Sequence, residues 1–115
     1  MDFKTVCKLM VPVALACTGF AANVHAADVD ADAAQALAKK SNCFKCHAVD
    51  KKKDGPSFKE TAAKYKGKAD AEDKLVKHVT TGPKIKIDGK EEEHEIVKSK
   101  NDGEIRNLVR FILSR

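Results

Sequence analysis

Cys43-Phe44-Lys45-Cys46-His47 sets two thiols three positions apart, with an imidazole directly after the second. This is the C-x-x-C-H spacing of covalent haem attachment. Thiols so placed can reach the two vinyl groups on one edge of a porphyrin, and the adjacent histidine then projects its ring under the iron. Two other chemistries use close cysteine pairs. A redox-active dithiol wants a thioredoxin-like βαβ setting, and a structural zinc site wants further thiolate or histidine ligands at matching spacing. Neither context surrounds the motif, so one covalent haem c with its iron is the expected cofactor, held by Cys43, Cys46 and His47.

Upstream of the motif, Lys4 and Lys8 precede an apolar run from Leu9 to Phe20, and Val24-His25-Ala26 follows as a small-residue cleavage pattern. That order describes a secretory signal peptide over residues 1–26, because an apolar core of about a dozen residues falls short of the roughly 20 that span a bilayer. A lipidation site at Cys17 is the alternative, although Ala14 stands where such sites usually carry leucine. Cleavage after Ala26 leaves a domain of residues 27–115 and removes Cys7 and Cys17 from the four cysteines. Only Cys43 and Cys46 then remain, which excludes a disulfide scaffold. Eighty-nine residues make one small domain whose side-chain core is marginal, and a large bound cofactor would enlarge it.

The net charge of +5 falls to +4 when residues 1–26 are removed. Lysines cluster at 51–53, at 64, 66 and 68, and at 84 and 86, opposed by the acidic run Glu91-Glu92-Glu93. Such runs ordinarily form solvated faces, but they also steer a protein toward an acidic partner. Nucleic acid is not an expected partner, since export separates the two and Tyr65 with a few phenylalanines offers no stacking platform.

Helical signals surround the motif. Asp30 or Asp32 can cap a helix that runs to about Ser41 and carries Ala34, Leu37 and Ala38 on one face, small enough for another helix to approach closely. Asp54-Gly55-Pro56 is turn chemistry, and Ser57 can cap a short helix bearing Phe58, Thr61, Ala62 and Tyr65 that ends at Gly67. Asp70 can cap a further helix with Leu75, Val76 and Val79 inward, stopped by Gly82-Pro83. The Ile85/Ile87 alternation before Asp88-Gly89 suggests a small hairpin. Asn101 and Glu104 are spaced as a capping box for a final helix whose stripe is Ile105, Leu108, Val109, Phe111 and Ile112. This helix should pack against the first.

From about Asp32 to Ser114 the chain resembles the small class I cytochromes c of the bacterial c-551 or c8 kind. The resemblance is carried by Cys43 to Asp50, by Gly55-Pro56-Ser57-Phe58 with Ala62 to Gly67, and by the Leu108 to Ser114 helix. It implies an all-α, haem-wrapping fold in which the first and last helices pack together, and an electron-transfer role. It also implies that the carbonyl of Pro56 accepts from the ring N–H of His47, orienting that ring and raising its basicity. The family normally places a methionine on the loop before the last helix as the second iron ligand. Here the only methionines are Met1 and Met10, both in the leader. His94 lies where that methionine is expected, and His78 matches the family residue that hydrogen-bonds a haem propionate. His94 is therefore the expected sixth ligand beside His47, with His78, Lys98 or an open site as alternatives.

These features together predict a periplasmic, monomeric carrier of single electrons, without catalytic residues or a transmembrane anchor. Lys45, Lys51 to Lys53, Lys84 and Lys86 are its expected docking charges for acidic redox partners. The competing reading is a small-ligand sensor or enzyme in which His94 leaves the iron.

Overall fold

A computed structural model describes residues 28–115, so the leader, its cleavage site at Ala26 and Cys17 lie outside the described residues. Helix α1 (Ala31–Lys40) starts where Asp30 accepts from the N–H of Ala33 through its side chain, and it ends on Ser41. The one-turn helix α2 (Cys43–Cys46) follows after Asn42, whose φ of 60° turns the chain sharply into the motif. Asparagine tolerates this left-handed region better than bulkier residues do.

Helix α3 (Phe58–Tyr65) opens with a full capping box: Ser57 accepts from the N–H of Glu60 while the Glu60 carboxylate accepts from the N–H of Ser57. Helix α4 (Ala71–Thr81) corrects one expectation. Asp70 occupies the N-cap position but makes no capping hydrogen bond. Its backbone there, at φ −95° and ψ 7°, departs from the extended conformation of a capping residue, and the carboxylate pairs with Lys74 at 2.8 Å instead.

Strands β1 (Lys84–Ile87) and β2 (Lys90–Glu93) form the antiparallel hairpin, with Lys84 opposite Glu93 and Ile85 opposite Glu92. Asp88 and Gly89, both at positive φ, make its two-residue turn. The hairpin adds one small sheet to an otherwise helical fold.

Helix α5 (Asp102–Leu113) is the central element, packed against α1, α3 and α4. Ala34 and Ala38 of α1 are fully buried, as are Leu108 and Val109 of α5, so α1 contributes small residues and α5 larger ones to the core they share. Asn107 ties the start of α1 to α5 twice, accepting from the N–H of Asp30 and donating to its carbonyl. At the start of α5, Asn101 caps Glu104 as expected, but the return half of the box is relayed. The Glu104 carboxylate accepts from the Ser99 hydroxyl, which in turn accepts from the N–H of Asn101.

Candidate functional site

Between α2, α3, α4 and the hairpin lies a cavity of about 840 Å3. That volume falls in the upper part of the range for cofactor sites. Cys43, Cys46 and His47 line one side, and His94, Ile85 and Ile87 are among the residues lining it from the hairpin and the loop that follows it.

The His47 side is built by a chain of short-range constraints. The N–H of His47 donates to the carbonyl of Cys43, closing the turn of α2, and the N–H of Gly55 donates to the carbonyl of Cys46. This brings Pro56 back beneath the motif, where its carbonyl accepts from Nδ1 of His47 at 2.7 Å. With Nδ1 as the donor, Nε2 of His47 keeps its lone pair for a metal. Phe58 stacks behind the ring at 5.8 Å and is in turn buttressed edge-on by Phe111 of α5. Burial pushes the Cys43 thiol above its ordinary value, with the charge of Glu95 adding to the effect against a backbone hydrogen bond. A raised thiol pKa is opposite to that of a reactive dithiol.

His94 faces this wall. Its ring centroid lies 6.1 Å from that of His47, with the planes inclined by 48°. Its Nδ1 donates to the carbonyl of Glu95 at 2.7 Å, so both imidazoles spend Nδ1 on a backbone carbonyl and keep Nε2 as the nitrogen available to a metal. Burial is the main cause that lowers the His94 pKa, partly opposed by that hydrogen bond. His78 of α4 stands edge-on to His94 at 4.4 Å, and burial, then the charges of His94, His47 and Lys64, lower its pKa too. Both shifts favour the neutral ring, the form in which imidazole binds metals.

The structure gathers Cys43, Cys46, His47, Pro56, His78 and His94 around one cavity. Lys98 is not brought there: its side chain is exposed, and it is the backbone N–H of Lys98 that is engaged, by the Ser41 hydroxyl. Among the expected docking lysines, Lys53 donates to the carbonyl of Phe44 and Lys84 pairs with Glu91, while Lys45, Lys52 and Lys86 are exposed and line the cavity. Gly55 escaped sequence reasoning, which read it as turn chemistry. A Cβ at this position would stand 2.5 Å from Cε1 and 2.9 Å from Nδ1 of His47, so the ring occupies the space a side chain would need. The Glu95 carbonyl was also missed, because a hydrogen bond from a ring to the next residue's backbone leaves no mark on residue type.

A family model described as cytochrome c matches residues 31–115. The chain belongs to the cytochrome c family. It therefore binds one haem c covalently, with its iron. The class 1 cytochrome MtoD from Sideroxydans lithotrophicus ES-1 is 60% identical to this cytochrome, with a TM-score of 0.73 over 76% of this chain and 97% of that one. Cytochrome c552 of Nitrosomonas europaea is 31% identical, with a TM-score of 0.55 over 70% of this chain and 96% of its own. Cytochrome c-551 of Allochromatium vinosum is 50% identical over 46 residues, covering 40% of this chain and 49% of the relative. The match thus spans about half the length of that curated relative. Among the described residues no helix is long and apolar enough to cross a membrane.

Proposed function

We propose that this cytochrome is a periplasmic carrier of single electrons, exported by cleavage after Ala26, whose haem iron is held by His47 and His94. When bound, the haem supplies one-electron exchange between ferric and ferrous iron. Cys43 and Cys46 supply the two thiols that tether it, and His47, oriented by the Pro56 carbonyl and backed by Phe58, supplies the proximal nitrogen. His78, whose pKa burial lowers, is the propionate partner on the α4 wall.

The separation of the His47 and His94 rings carries the proposal. Two imidazoles sharing one metal through Nε2, each at about 2.0 Å, would have ring centroids no more than roughly 6.3 Å apart, and these rings stand at 6.1 Å, within reach of one shared ion. Both have Nδ1 engaged by a backbone carbonyl, which leaves Nε2 on each as the donor. The described residues contain no methionine to compete. A second imidazole in place of a thioether favours ferric iron and lowers the potential, because methionine ligation is what raises it in this class.

The sensor or enzyme alternative needs His94 to depart easily. Against this, the N–H of His94 donates to the carbonyl of Pro83 and the N–H of Val97 to that of Val79, which fastens the loop on both sides of Glu95. For docking, Lys45 and Lys52 at the cavity mouth favour acidic partners, which the monomer would meet in brief, weakly buried encounters.

The test is the optical and electron-spin-resonance spectrum of the oxidised protein. A low-spin signal without the weak red sulfur-to-iron band is expected, and His94→Met should restore that band and raise the potential. If His94→Ala keeps the native low-spin spectrum while His78→Ala turns high-spin, the ligand comes from α4 and the proposal fails.

A further inference from the structure

We infer that Ser41 is a positioning residue that locks the loop carrying His94 to the segment carrying Cys43 and His47, keeping the two imidazoles opposed in both oxidation states. The inference rests on His94 being the sixth ligand.

Ser41 and Ser57 are the buried polar residues among those described, 1% and 2% exposed. Ser57 uses its hydroxyl locally, to cap α3. Ser41 does not need its hydroxyl for α1, because its backbone N–H alone closes that helix onto the carbonyls of Leu37 and Lys39. Its Oγ instead accepts from the N–H of Lys98 at 2.9 Å, across 57 positions of sequence. The bond therefore begins two residues before Cys43 and ends four residues after His94.

The other hydrogen bonds of this loop reach in a different direction. The N–H of His94 goes to Pro83, just beyond α4, and that of Val97 goes to Val79 within α4. Both tie the loop to the wall on its own side of the cavity. Among the described residues, the Ser41 bond is the one hydrogen bond that joins residues 94–98 to the α1 and α2 side. Without it, the Lys98 N–H would need another acceptor in a part-buried site, and the stretch that follows His94 would lose its hydrogen-bonded tie to the side carrying Cys43 and His47.

The experiment compares holoproteins of the wild type, Ser41→Ala, Ser41→Thr and His94→Ala. It reads carbon monoxide binding to the reduced protein and the low-spin fraction of the oxidised one, with thermal midpoints recorded alongside. Ser41→Ala should bind carbon monoxide at least about tenfold faster than the wild type, the effect of losing one hydrogen bond to a part-buried donor. Ser41→Thr, which keeps a hydroxyl, should return the wild-type rate.

A lower thermal midpoint in Ser41→Ala with an unchanged carbon monoxide rate would reduce Ser41 to a structural residue and overturn the inference, as would a threonine variant that behaves like alanine. His94→Ala separates this failure from failure of the ligand assignment. An open, high-spin iron in His94→Ala beside an unaltered Ser41→Ala would sink the role of Ser41 alone, whereas a low-spin His94→Ala would sink both. Should Ser41→Ala yield no holoprotein, amide hydrogen exchange in the wild type decides. The Lys98 amide must be protected in both the ferric and the ferrous protein, and exchange at the rate of a free amide in either state overturns the inference.

Discussion

At the residue scale, the site is set as much by what is left out as by what is present. Gly55 has no side chain where His47 has its ring, and the closest approach of an added Cβ would be 2.5 Å, with ring atoms rather than a flexible chain end. Gly55→Ala should therefore displace the ring from Phe58 and loosen its bond to the Pro56 carbonyl, with a loss of about 1–3 kcal/mol typical of overpacking. Gly67→Ala is the control, since its φ is +75° but an added Cβ meets nothing within 4 Å. It should lose stability through its backbone alone and leave the haem spectrum unchanged. Thermal melts and spectra of the two holoproteins check this, and equal spectra in both would refute the steric account. Cys43, Cys46 and His47 could be read as one group in the sequence because haem attachment demands particular residue types at a particular spacing. Gly55, Ser41 and the Glu95 carbonyl were not, because each acts through a contact that residue type alone does not announce.

At the element scale, legibility followed the range of the interaction. The caps at Asp30, Ser57 and Asn101 and the Asp88-Gly89 turn are local and could be read directly. Asp70 misled because its carboxylate had two local options, and Lys74 won over the helix N–H groups. What fastens α4 to α5 was invisible, since it joins residues more than thirty positions apart. Glu72 accepts two hydrogen bonds from Arg110, both at 3.0 Å, and one from Arg106 at 2.9 Å, and Arg106 also reaches Asp73 and Asp102. The hydrogen bonds from Arg110 and then Arg106 hold the Glu72 carboxyl below its ordinary value of 4.5. A depressed folded value means the stabilisation is complete above the unfolded value and is lost as pH falls through the folded one. Glu72→Gln should thus cost about 1 kcal/mol at pH 7, given charge-assisted bonds on a partly exposed side chain. The gap between wild type and variant should close as pH falls below 4.5, the unfolded value. Denaturant unfolding at neutral and acid pH measures it, and a pH-independent gap would show that packing rather than charge joins these helices.

At the scale of the whole molecule, positive charge is abundant but unequally available. Lys84 is matched by Glu91 at 2.9 Å across the hairpin, so its charge is answered there, whereas Lys53 keeps its charge with its Nζ held at the Phe44 carbonyl. Lys45 and Lys52 are exposed at the mouth of the cavity, beside the thiols that would tether the haem edge. Electron exchange through that edge with an acidic partner should slow as salt rises, because exposed charges are screened over about 8 Å at physiological ionic strength. The double substitution Lys45→Glu with Lys52→Glu should lower the low-salt rate by about tenfold or more, within the range of electrostatic steering, and flatten its dependence on salt. Lys84→Glu should change the rate far less, since its charge is already answered within the hairpin. Stopped-flow mixing with a single acidic redox protein over a series of salt concentrations gives all three rates. A wild-type rate that is flat with salt, or a Lys84 effect as large as that of the double substitution, would mean that the lysines at the cavity mouth are solvated surface and that docking is directed from elsewhere.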